Sequence, residues 1–321
     1  MNPRHPSCTK AADIWRQIDL PNPDNCAIWP GTVDCTAMGR SVNLIKRRSF
    51  PLATLHMKRQ NAMELHDHDY LELVVILGGS GRHLTHSGSY TLKRGDVFVV
   101  PIGMEHGYGE GDLELVNVVF DPAGLPLPHG QLERLPGYHA LVTLEPRMRE
   151  QHAFTSHLHL CDEELARVSQ LLNELGDELK QRHNGFEAAA TGMLTSLLVT
   201  LARTYRDVTA PRALALMQLA DLVGWIADHL GEAITVDSLA QRAGMSRSTL
   251  LRAFKRGLDC SPMDYVIRCR IEHAQQLLMT SNERIATVAR AVGYEDPDYF
   301  GRLFHKQTDM TPSAWRKRHR S

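Results

Sequence analysis

Four side chains able to bind a metal or a polar ligand lie at regular spacings in the first half of the chain. His66, His68 and Glu72 follow the pattern His-x-His-x3-Glu, and His106 ends a later segment, GDVFVVPIGMEH. Residues two apart in an extended segment point to the same side, so His66 and His68 share a face and Glu72 keeps the even spacing. Three imidazoles and a carboxylate that converge can bind a divalent transition metal or hydrogen-bond a ligand. Both alternatives stay open at this point.

A second set of residues lies in two segments near the end of the chain that repeat one pattern. TVDSLAQRAGMSRSTLLRAFKR begins at Thr235 and IATVARAVGYEDPDYFGRLFHK begins at Ile285. Each predicts a short amphipathic helix, a turn at glycine, and a second helix that follows a capping residue, Ser246 or Asp296. A helix–turn–helix of this kind presents its second helix to the major groove of DNA.

Each of these second helices divides into an apolar face and a polar face. The apolar faces comprise Leu250, Phe254 and Leu258 on the first and Phe300, Leu303 and Phe304 on the second; the polar sides comprise Arg247, Ser248, Leu251, Arg252 and Lys255 on the first and Asp298, Arg302 and Lys306 on the second. One basic helix face is most simply a solvated surface, but two in tandem predict DNA binding. Arg252 can make a bidentate contact to guanine, worth about 1–3 kcal/mol. Asp298 suits a cytosine contact or a helix cap, and Arg302 a base or a phosphate.

The elements that must position the histidines are predicted to be strands. From about residue 50 to 122, apolar or alternating runs recur every 8–12 residues between turn residues, which favours an antiparallel sandwich or barrel.

Beyond a loop rich in Pro and Gly (Pro122–Pro136), the hydrophobic period becomes helical. Two apolar stripes, separated by a turn at Arg182–Gly185, predict an antiparallel helical pair: Leu165, Val168, Leu172, Leu175 and Leu179, then Met193, Leu194, Leu197, Leu198 and Leu201. The pair must bury these stripes on the barrel or on a second subunit, and the pattern leaves both open.

The sequence therefore predicts an α+β multidomain protein. Residues 1–49 form an irregular extension with one short helix around Asp13–Ile18; residues 50–205 form the antiparallel barrel and helical pair, an effector-binding and dimerisation domain; residues 206–212 are a linker; and residues 213–321 form an all-α domain with two helix–turn–helix units.

Charge is distributed in a way that fits this division. Residues 212–321 hold 16 Lys and Arg against 12 Asp and Glu, a net charge of +4, while the rest holds 20 against 25, a net charge of −5. The basic excess thus lies on the helix–turn–helix half, where phosphates would attract it.

Composition excludes several classes. The chain has no apolar run long enough to span a bilayer and no leader-like apolar core near its start, so we expect neither a membrane protein nor an exported one. Its six cysteines are scattered without a Cys-x-x-Cys pair, which favours reduced thiols in the cytoplasm over disulfides or structural zinc.

The C-terminal pattern resembles a known family. The tandem units, the linking RIEHAQQLL helix and the closing TPSAWRK are similar to the DNA-binding domain of the AraC/XylS transcription regulators, over about residues 214–318. The resemblance implies that both second helices enter the major groove. It also implies base-reading positions at Ser248, Leu251, Arg252, Asp296, Asp298 and Arg302.

The histidine segments resemble the two motifs of the cupin barrel, although Glu110 stands where the second motif usually has Asn. Together with the following segment, the chain is most similar to the rhamnose-operon regulators of that family. This implies a sugar-sensing pocket rather than an enzyme, with effector contacts at His66, His68, Glu72, Arg82, His106 and Asn117. Arg82 and Asn117 are weaker candidates in this set, as are His83 and Tyr108 beside it. Such a pocket would also need apolar walls, and Leu73, Val75, Val97 and Val99 are the residues expected to supply them. A divalent transition metal, if bound, would use His66, His68, Glu72 and His106.

The function that follows is a sugar-responsive activator of a carbohydrate-utilisation operon. It would act in the cytoplasm on the nucleoid, as a homodimer that binds promoter DNA and a monosaccharide and recruits RNA polymerase. The main alternative is a metal-dependent cupin enzyme, a dioxygenase or isomerase, fused to a DNA-binding domain. A constitutive architectural DNA-binding protein is a third.

Overall fold

The computed structural model describes residues 41–42, 49–150, 158–206 and 211–319. Most of the predicted N-terminal extension, including its helix around Asp13–Ile18, lies outside these residues. The chain divides into two compact units. The first contains the residues up to Leu127 together with His157–Thr200, and the second contains Pro128–Ser156 together with Leu201 onward.

The described residues of the first unit form ten strands: β1 (Ser41–Val42), β2 (Leu52–Met57), β3 (Met63–His68), β4 (Leu71–Gly78), β5 (Ser80–Thr85), β6 (Gly88–Lys93), β7 (Asp96–Val100), β8 (His106–Tyr108), β9 (Glu114–Phe120) and β10 (Leu158–His159). They form two five-stranded sheets, in the orders β1-β3-β8-β5-β6 and β10-β7-β4-β9-β2. All pairings are antiparallel except that of β1 with β3. The predicted antiparallel β-domain is confirmed.

The interior between the two sheets is hydrocarbon over most of its extent. Its buried cluster takes residues from both sheets: Val74, Ile76, Leu92, Phe98, Val100, Tyr108, Leu113 and Leu115. The register fixes which side chains share this interior, because residues directly opposite each other in an antiparallel pair point to the same face. Glu72 lies opposite Val100, and Val74 lies opposite both Phe98 and Asn117, so Glu72 and Asn117 face inward.

The apolar walls expected from the sequence were assigned to the wrong face. Leu73 pairs with Val99 and Val75 pairs with Val97. These four alternate with the interior residues, so they occupy the opposite face of the sheet, where they are also buried. The walls beside Glu72 are instead Val74, Phe98 and Val100.

Two long helices, α5 (Asp162–Gln181) and α6 (Phe186–Arg206), follow the strands; we number the four shorter helices that precede them α1 to α4 below. The turn at Arg182–Gly185 is confirmed, with Arg182 in the left-handed region at φ 48°. Helix α5 lies against β2. Of the ten predicted stripe residues, nine are buried within the single chain and Met193 is partly exposed. A second subunit is therefore not needed to cover these stripes.

Helices make up the second unit. They are α1 (His129–Leu132), α2 (Pro136–Tyr138), the π-helical α3 (His139–Leu144), α4 (Glu145–Glu150), α7 (Pro211–Asp228), α8 (Val236–Arg242), α9 (Arg247–Leu258), α10 (Pro262–Thr280), α11 (Ile285–Ala291), α12 (Pro297–Thr308) and α13 (Pro312–His319). Helices α2 and α3 pack on α7, and α4 packs on α9. Among the described residues, those from Pro128 to Glu150 thus lie with the C-terminal helices.

One buried ionic cluster holds α4 in this unit. The hydroxyl of Tyr205 donates to Oε2 of Glu145 at 2.6 Å, and Arg149 lies 3.3 Å from Oε1 of the same carboxylate. Tyr205 and Glu145 are buried almost completely. A buried carboxylate depends on such partners, because water cannot solvate it.

We predict that Tyr205→Phe lowers the free energy of unfolding by about 1–3 kcal/mol, since it removes a donor from a buried charged acceptor. Urea denaturation of the purified protein measures this. Tyr299→Phe is the matched control: Tyr299 is 45% exposed, and the change should stay within about 0.5 kcal/mol. Equal stability of the Tyr205 variant and the unaltered protein would contradict the role of the cluster.

Candidate functional site

The four spaced residues of the sequence pattern come together inside the first unit. His68 lies at the end of β3, Glu72 near the start of β4, and His106 at the start of β8, and each is at most 4% exposed. Oε2 of Glu72 is 3.2 Å from Nε2 of His68 and 3.2 Å from Nε2 of His106. The carboxylate is thus held between two imidazoles.

Backbone contacts orient the imidazole of His68. Its Nδ1 lies 2.7 Å from the carbonyl oxygen of Tyr70. A carbonyl can only accept, so Nδ1 carries the proton and Nε2 faces Glu72. The ring also stacks on Tyr70, with centroids 4.2 Å apart. Sequence-local contacts therefore fix both the rotamer and the tautomer of this side chain.

The charges of the cluster depend on one another. Burial alone would raise the pKa of Glu72, but the neighbouring charge of His106, followed by that of His68, holds the pKa well below its usual range. For His68, burial lowers the pKa, yet the Glu72 carboxylate outweighs it and the pKa is raised. Glu72 is therefore ionised at neutral pH.

The donor set fits a divalent transition metal. One ligand atom each from His68, Glu72 and His106 lies within 4.8 Å of the other two. At 3.2 Å the contacts are close, but their angles are poor for hydrogen bonds, and the three facing atoms lack well-formed partners among the described residues. Two imidazole nitrogens and a carboxylate oxygen suit such a metal, and a backbone carbonyl behind His68 is the usual support for a ligating histidine.

His66 and His83 extend this cluster without belonging to the three-atom set. His66 is half-buried, its Nδ1 donates to the Glu64 carbonyl at 3.1 Å, and its ring lies 4.5 Å from that of His106. Burial, followed by the charge of His106, lowers the pKa of His66. The ring of His83 is 2% exposed, and its Nε2 lies 3.2 Å from Nδ1 of His106. His83 is thus a buried neighbour of the cluster, although sequence reasoning ranked it only as a weaker candidate.

Arg82 does not join the site. It precedes His83 on β5, so it points to the opposite face, where it is exposed and donates to Ser89. Asn117 does face the interior, is 8% exposed, and its Oδ1 has no hydrogen-bond partner among the described residues. Tyr108 is fully buried beside His83. The barrel site therefore comprises His66, His68, Glu72, His83 and His106, with Asn117 and Tyr108 on its walls.

The second candidate site is formed by the two helix–turn–helix motifs, α8–α9 and α11–α12. The predicted turn glycines have left-handed backbone, Gly244 at φ 62° and Gly293 at φ 86°. At Gly293 a Cβ atom would also lie 2.4 Å from the carbonyl oxygen of Leu230, so two constraints require glycine there. The predicted cap at Ser246 is confirmed, since its Oγ accepts from the Thr249 amide at 3.2 Å.

The second helices, α9 and α12, each bury one face and expose the other. Leu250, Phe254, Leu258, Phe300 and Phe304 are buried, whereas all the predicted DNA-contact residues are exposed, namely Arg247, Ser248, Leu251, Arg252, Lys255, Asp296, Asp298, Arg302 and Lys306. The contacts of the basic residues are weak ones on the surface: Arg247 lies 3.6 Å from Asp237, and Lys255 pairs with Asp259. Such exposed pairs contribute little to stability, so these cations remain available to phosphates.

Asp296 has a structural task at its helix. Its Oδ1 accepts from the amide of Asp298 at 2.9 Å, and Pro297 follows as the first residue of α12. The predicted cap is confirmed, and it accounts for the carboxylate of Asp296. Asp298 lies in the first turn, where its charge complements the helix dipole.

Sequence reasoning missed Tyr299. Its side chain is 45% exposed, and the guanidinium of Arg302 lies 5.8 Å from its ring centroid. A large exposed aromatic residue beside an arginine is suited to contact a thymine methyl group or a sugar of the DNA backbone. Its exposure could have been predicted from its position in the sequence. Tyr299 precedes buried Phe300 by one residue, which places the two side chains about 100° apart around the helix.

Among the described residues, no helix combines the length and the apolar character that a membrane crossing requires.

Two family models match different parts of the chain. Residues 54–198 match an AraC-like ligand binding domain, and residues 239–318 match a helix-turn-helix domain. The HTH-type transcriptional activator RhaR of Escherichia coli (strain K12) is 28% identical over 260 residues, which cover 80% of this chain and 88% of RhaR.

Two solved DNA-binding domains are similar to the C-terminal part. The DNA-binding domain of AdpA, a global transcriptional factor solved in complex with a target DNA, is 35% identical over 32% of this chain and 92% of its own, with a TM-score of 0.31. The C-terminal domain of the response regulator yesN from Fusobacterium nucleatum is 28% identical over 30% of this chain and 93% of its own, with a TM-score of 0.29.

We predict that Asp296→Ala lowers the free energy of unfolding by about 1 kcal/mol, because the first turn of α12 loses its cap. Asp296→Asn should retain the stability, since an amide oxygen can accept the same hydrogen bond. Thermal unfolding of both variants measures the difference. An Asn variant as unstable as the Ala variant would contradict the assignment of this carboxylate as a cap.

Proposed function

Because the chain belongs to the AraC family of transcriptional regulators, we propose that it is a sugar-responsive activator of a carbohydrate-utilisation operon, with a monosaccharide effector bound in its barrel. The family carries a DNA-binding domain and a ligand-binding domain, and it consists of regulators rather than enzymes. The alternative of a cupin enzyme fused to a DNA-binding domain is not retained.

The observation that supports an effector in the barrel is the buried His68–Glu72–His106 cluster. An ionised carboxylate and two imidazoles lie among hydrocarbon side chains, with facing atoms that lack well-formed hydrogen bonds. Burying such groups destabilises a fold unless partners compensate. A ligand that supplies hydroxyl groups would satisfy Glu72 and the imidazoles together.

A monosaccharide has the chemistry that these residues match. The carboxylate of Glu72 would accept from sugar hydroxyls, Asn117 would accept or donate at the wall, and His66 would contact the ligand from its half-buried position. The hydrocarbon side chains Val74, Phe98 and Val100 would pack on the apolar parts of the ring. His83 would act indirectly, by orienting His106, because it contacts His106 rather than the centre of the cluster.

A divalent metal is compatible with the same residues. His68, Glu72 and His106 would hold it, and His66 stands outside that set. Such a metal would supply a Lewis-acidic anchor for sugar oxygens. We propose that this anchor, where it is bound, serves ligand recognition.

DNA recognition is proposed for the exposed faces of α9 and α12. Arg252 and Arg302 are the side chains best suited to contact guanine, and Leu251 and Tyr299 are suited to contact thymine methyl groups. Lys255 and Lys306 would position the helices through phosphates. Ser248, Arg247 and Asp298 lie at the N-terminal ends of these faces, where they can contact either.

Binding of the effector and binding of DNA are coupled, because each can change the free energy of the other. A sugar shifts DNA affinity only by its differential affinity for the two states, typically about 1–3 kcal/mol. We further propose that the protein acts in the cytoplasm as a homodimer on adjacent half-sites and recruits RNA polymerase. The dimer contact must use surface other than the buried stripes of α5 and α6.

We predict that Arg252→Ala weakens binding to a site selected from random DNA by about 1–3 kcal/mol and relaxes the preference at one base pair. Fluorescence anisotropy with each base pair substituted in turn measures both effects. Lys255→Ala is the matched control: it should weaken binding to all sequences alike and reduce the salt slope by about 1. A uniform loss for Arg252→Ala would show a phosphate contact instead.

We predict that Glu72→Gln weakens monosaccharide binding at least about tenfold, because the amide lacks the charge of the carboxylate and offers a donor where an acceptor is needed. Thermal shifts with L-rhamnose and other common monosaccharides measure binding; at about 100 times the dissociation constant a ligand adds about 2.7 kcal/mol. Glu114→Gln, at an exposed position on β9, is the control.

Metal analysis of the unaltered protein, Glu72→Gln and Glu114→Gln distinguishes sugar binding with a metal from sugar binding without one. Stoichiometric metal that is lost in Glu72→Gln alone would indicate metal-assisted recognition. Sugar binding without metal would indicate direct hydrogen bonding. The proposed function would be abandoned if no sugar binds the unaltered protein and none changes its DNA affinity.

A further inference from the structure

A cavity of about 290 Å³ lies within the second unit, away from the barrel cluster. One side is formed by residues of α1, α2 and α3 and the residues between them, and the other by the end of α7 and one face of α10. Its volume is at the lower end of the range for small-molecule sites. Nothing in the activator function described above uses it.

The wall that α10 contributes is polar and aromatic. Tyr265, Arg268, Cys269, Glu272, His273 and Gln276 recur at intervals of three or four residues or lie next to one another, so they share one face of the helix. The guanidinium of Arg268 lies 5.1 Å from the ring centroid of Tyr265. Glu272 is exposed and marks the opening of the cavity to solvent. A helix that faced only its neighbours would present hydrocarbon here.

His139 is a buried, uncharged imidazole in the opposite wall. It is 4% exposed, and its Nε2 lies 2.5 Å from the carbonyl oxygen of Glu133. The carbonyl must accept, so Nε2 carries the proton and Nδ1 carries the lone pair. Nδ1 has no partner among the described residues. Burial lowers the pKa of His139 to about 4, so the ring is neutral near pH 7.

The remaining charges of the cavity balance. Two carboxylates, Glu133 and Glu272, and two guanidiniums, Arg134 and Arg268, line the cavity, and Arg134 is engaged by Asp228 at 2.7 Å. An anionic ligand would meet two carboxylates and a cationic ligand would meet Arg268. Two carboxylate acceptors, one guanidinium donor and the rings of Tyr138 and Tyr265 together match a neutral molecule with several hydroxyl groups.

We propose that this cavity is a second ligand site, distinct from the barrel, that binds a neutral polyhydroxylated molecule of monosaccharide size. The hydroxyl groups donate to the carboxylates of Glu133 and Glu272, and they accept from Arg268. The carbon skeleton packs on the two tyrosine rings.

The position of the site connects it to DNA binding. Helix α10 contacts α9 and also α11, α12 and α13, so it lies between the two helix–turn–helix motifs. A ligand in the cavity would contact α10 directly, and α10 is the helix on which both motifs pack. Occupancy therefore changes DNA affinity in proportion to the ligand's preference for the DNA-bound arrangement.

The test uses the full chain with Glu72→Gln, so that sugar binding in the barrel is weakened and the cavity variants report on the second site. Calorimetric titration is carried out with L-rhamnose, L-arabinose, D-xylose, D-glucose, D-galactose, D-mannitol and glycerol. We expect at least one of them to bind, with an affinity that salt changes little, because the ligand is neutral. Adding Glu133→Gln or Glu272→Gln should weaken that binding at least about tenfold, while Glu283→Gln, at an exposed position outside the cavity, leaves it unchanged.

Two results would overturn this second site: no probe binds the Glu72→Gln protein, or the bound probe is unaffected by both Glu133→Gln and Glu272→Gln. The first result leaves the barrel proposal standing where the unaltered protein still binds sugar. Conversely, sugar binding that survives Glu72→Gln and disappears with the cavity variants supports this site and removes the barrel as the effector pocket.

Discussion

The ionised carboxylate of Glu72, buried between two imidazoles, sets the strongest constraint on the first unit. An isolated carboxylate in a hydrocarbon interior is very costly, so the strands must deliver compensating groups to within about one contact distance. The tight turn between β3 and β4 brings His68 next to Glu72. The pairing of β8 with β3 brings His106 to the other side of the same carboxylate. The register of the strands therefore decides whether the buried carboxylate has its partners. A shift of β8 by one residue would point His106 away from Glu72.

Spacing predicted this cluster, since His66, His68 and Glu72 share one parity along the chain. The spacing did not show whether the even-numbered or the odd-numbered residues of the other strands face the interior. On β4 the answer was available, because Val74 is two residues beyond Glu72 and shares its face, while Leu73 and Val75 do not. On β5 it was not, because the inward position of His83 rather than Arg82 depends on pairing with β8. Single-strand periodicity fixes relative direction only.

The helices were predicted well wherever a cap and a sustained period coincide, as at Ser246–Leu258 and Asp296–Thr308. The short helices between His129 and Glu150 were not, because each is too brief to show a period and prolines interrupt them. Their assignment to the C-terminal unit follows from tertiary contacts, such as Arg147 donating to the Leu258 carbonyl at the end of α9. No local pattern encodes that contact.

This packing changes what a ligand must do to affect DNA binding. Residues 139–150 contact α7 and α9, and the cavity beside them is closed by α10, so the elements around the recognition helices belong to one compact unit. Any ligand that favours the DNA-bound arrangement of this unit must itself bind more tightly when DNA is present, by the same factor. The same reciprocity would apply to the sugar that we propose for the barrel. Two ligands that each favour the bound arrangement would therefore reinforce each other without touching, because both act on a single equilibrium.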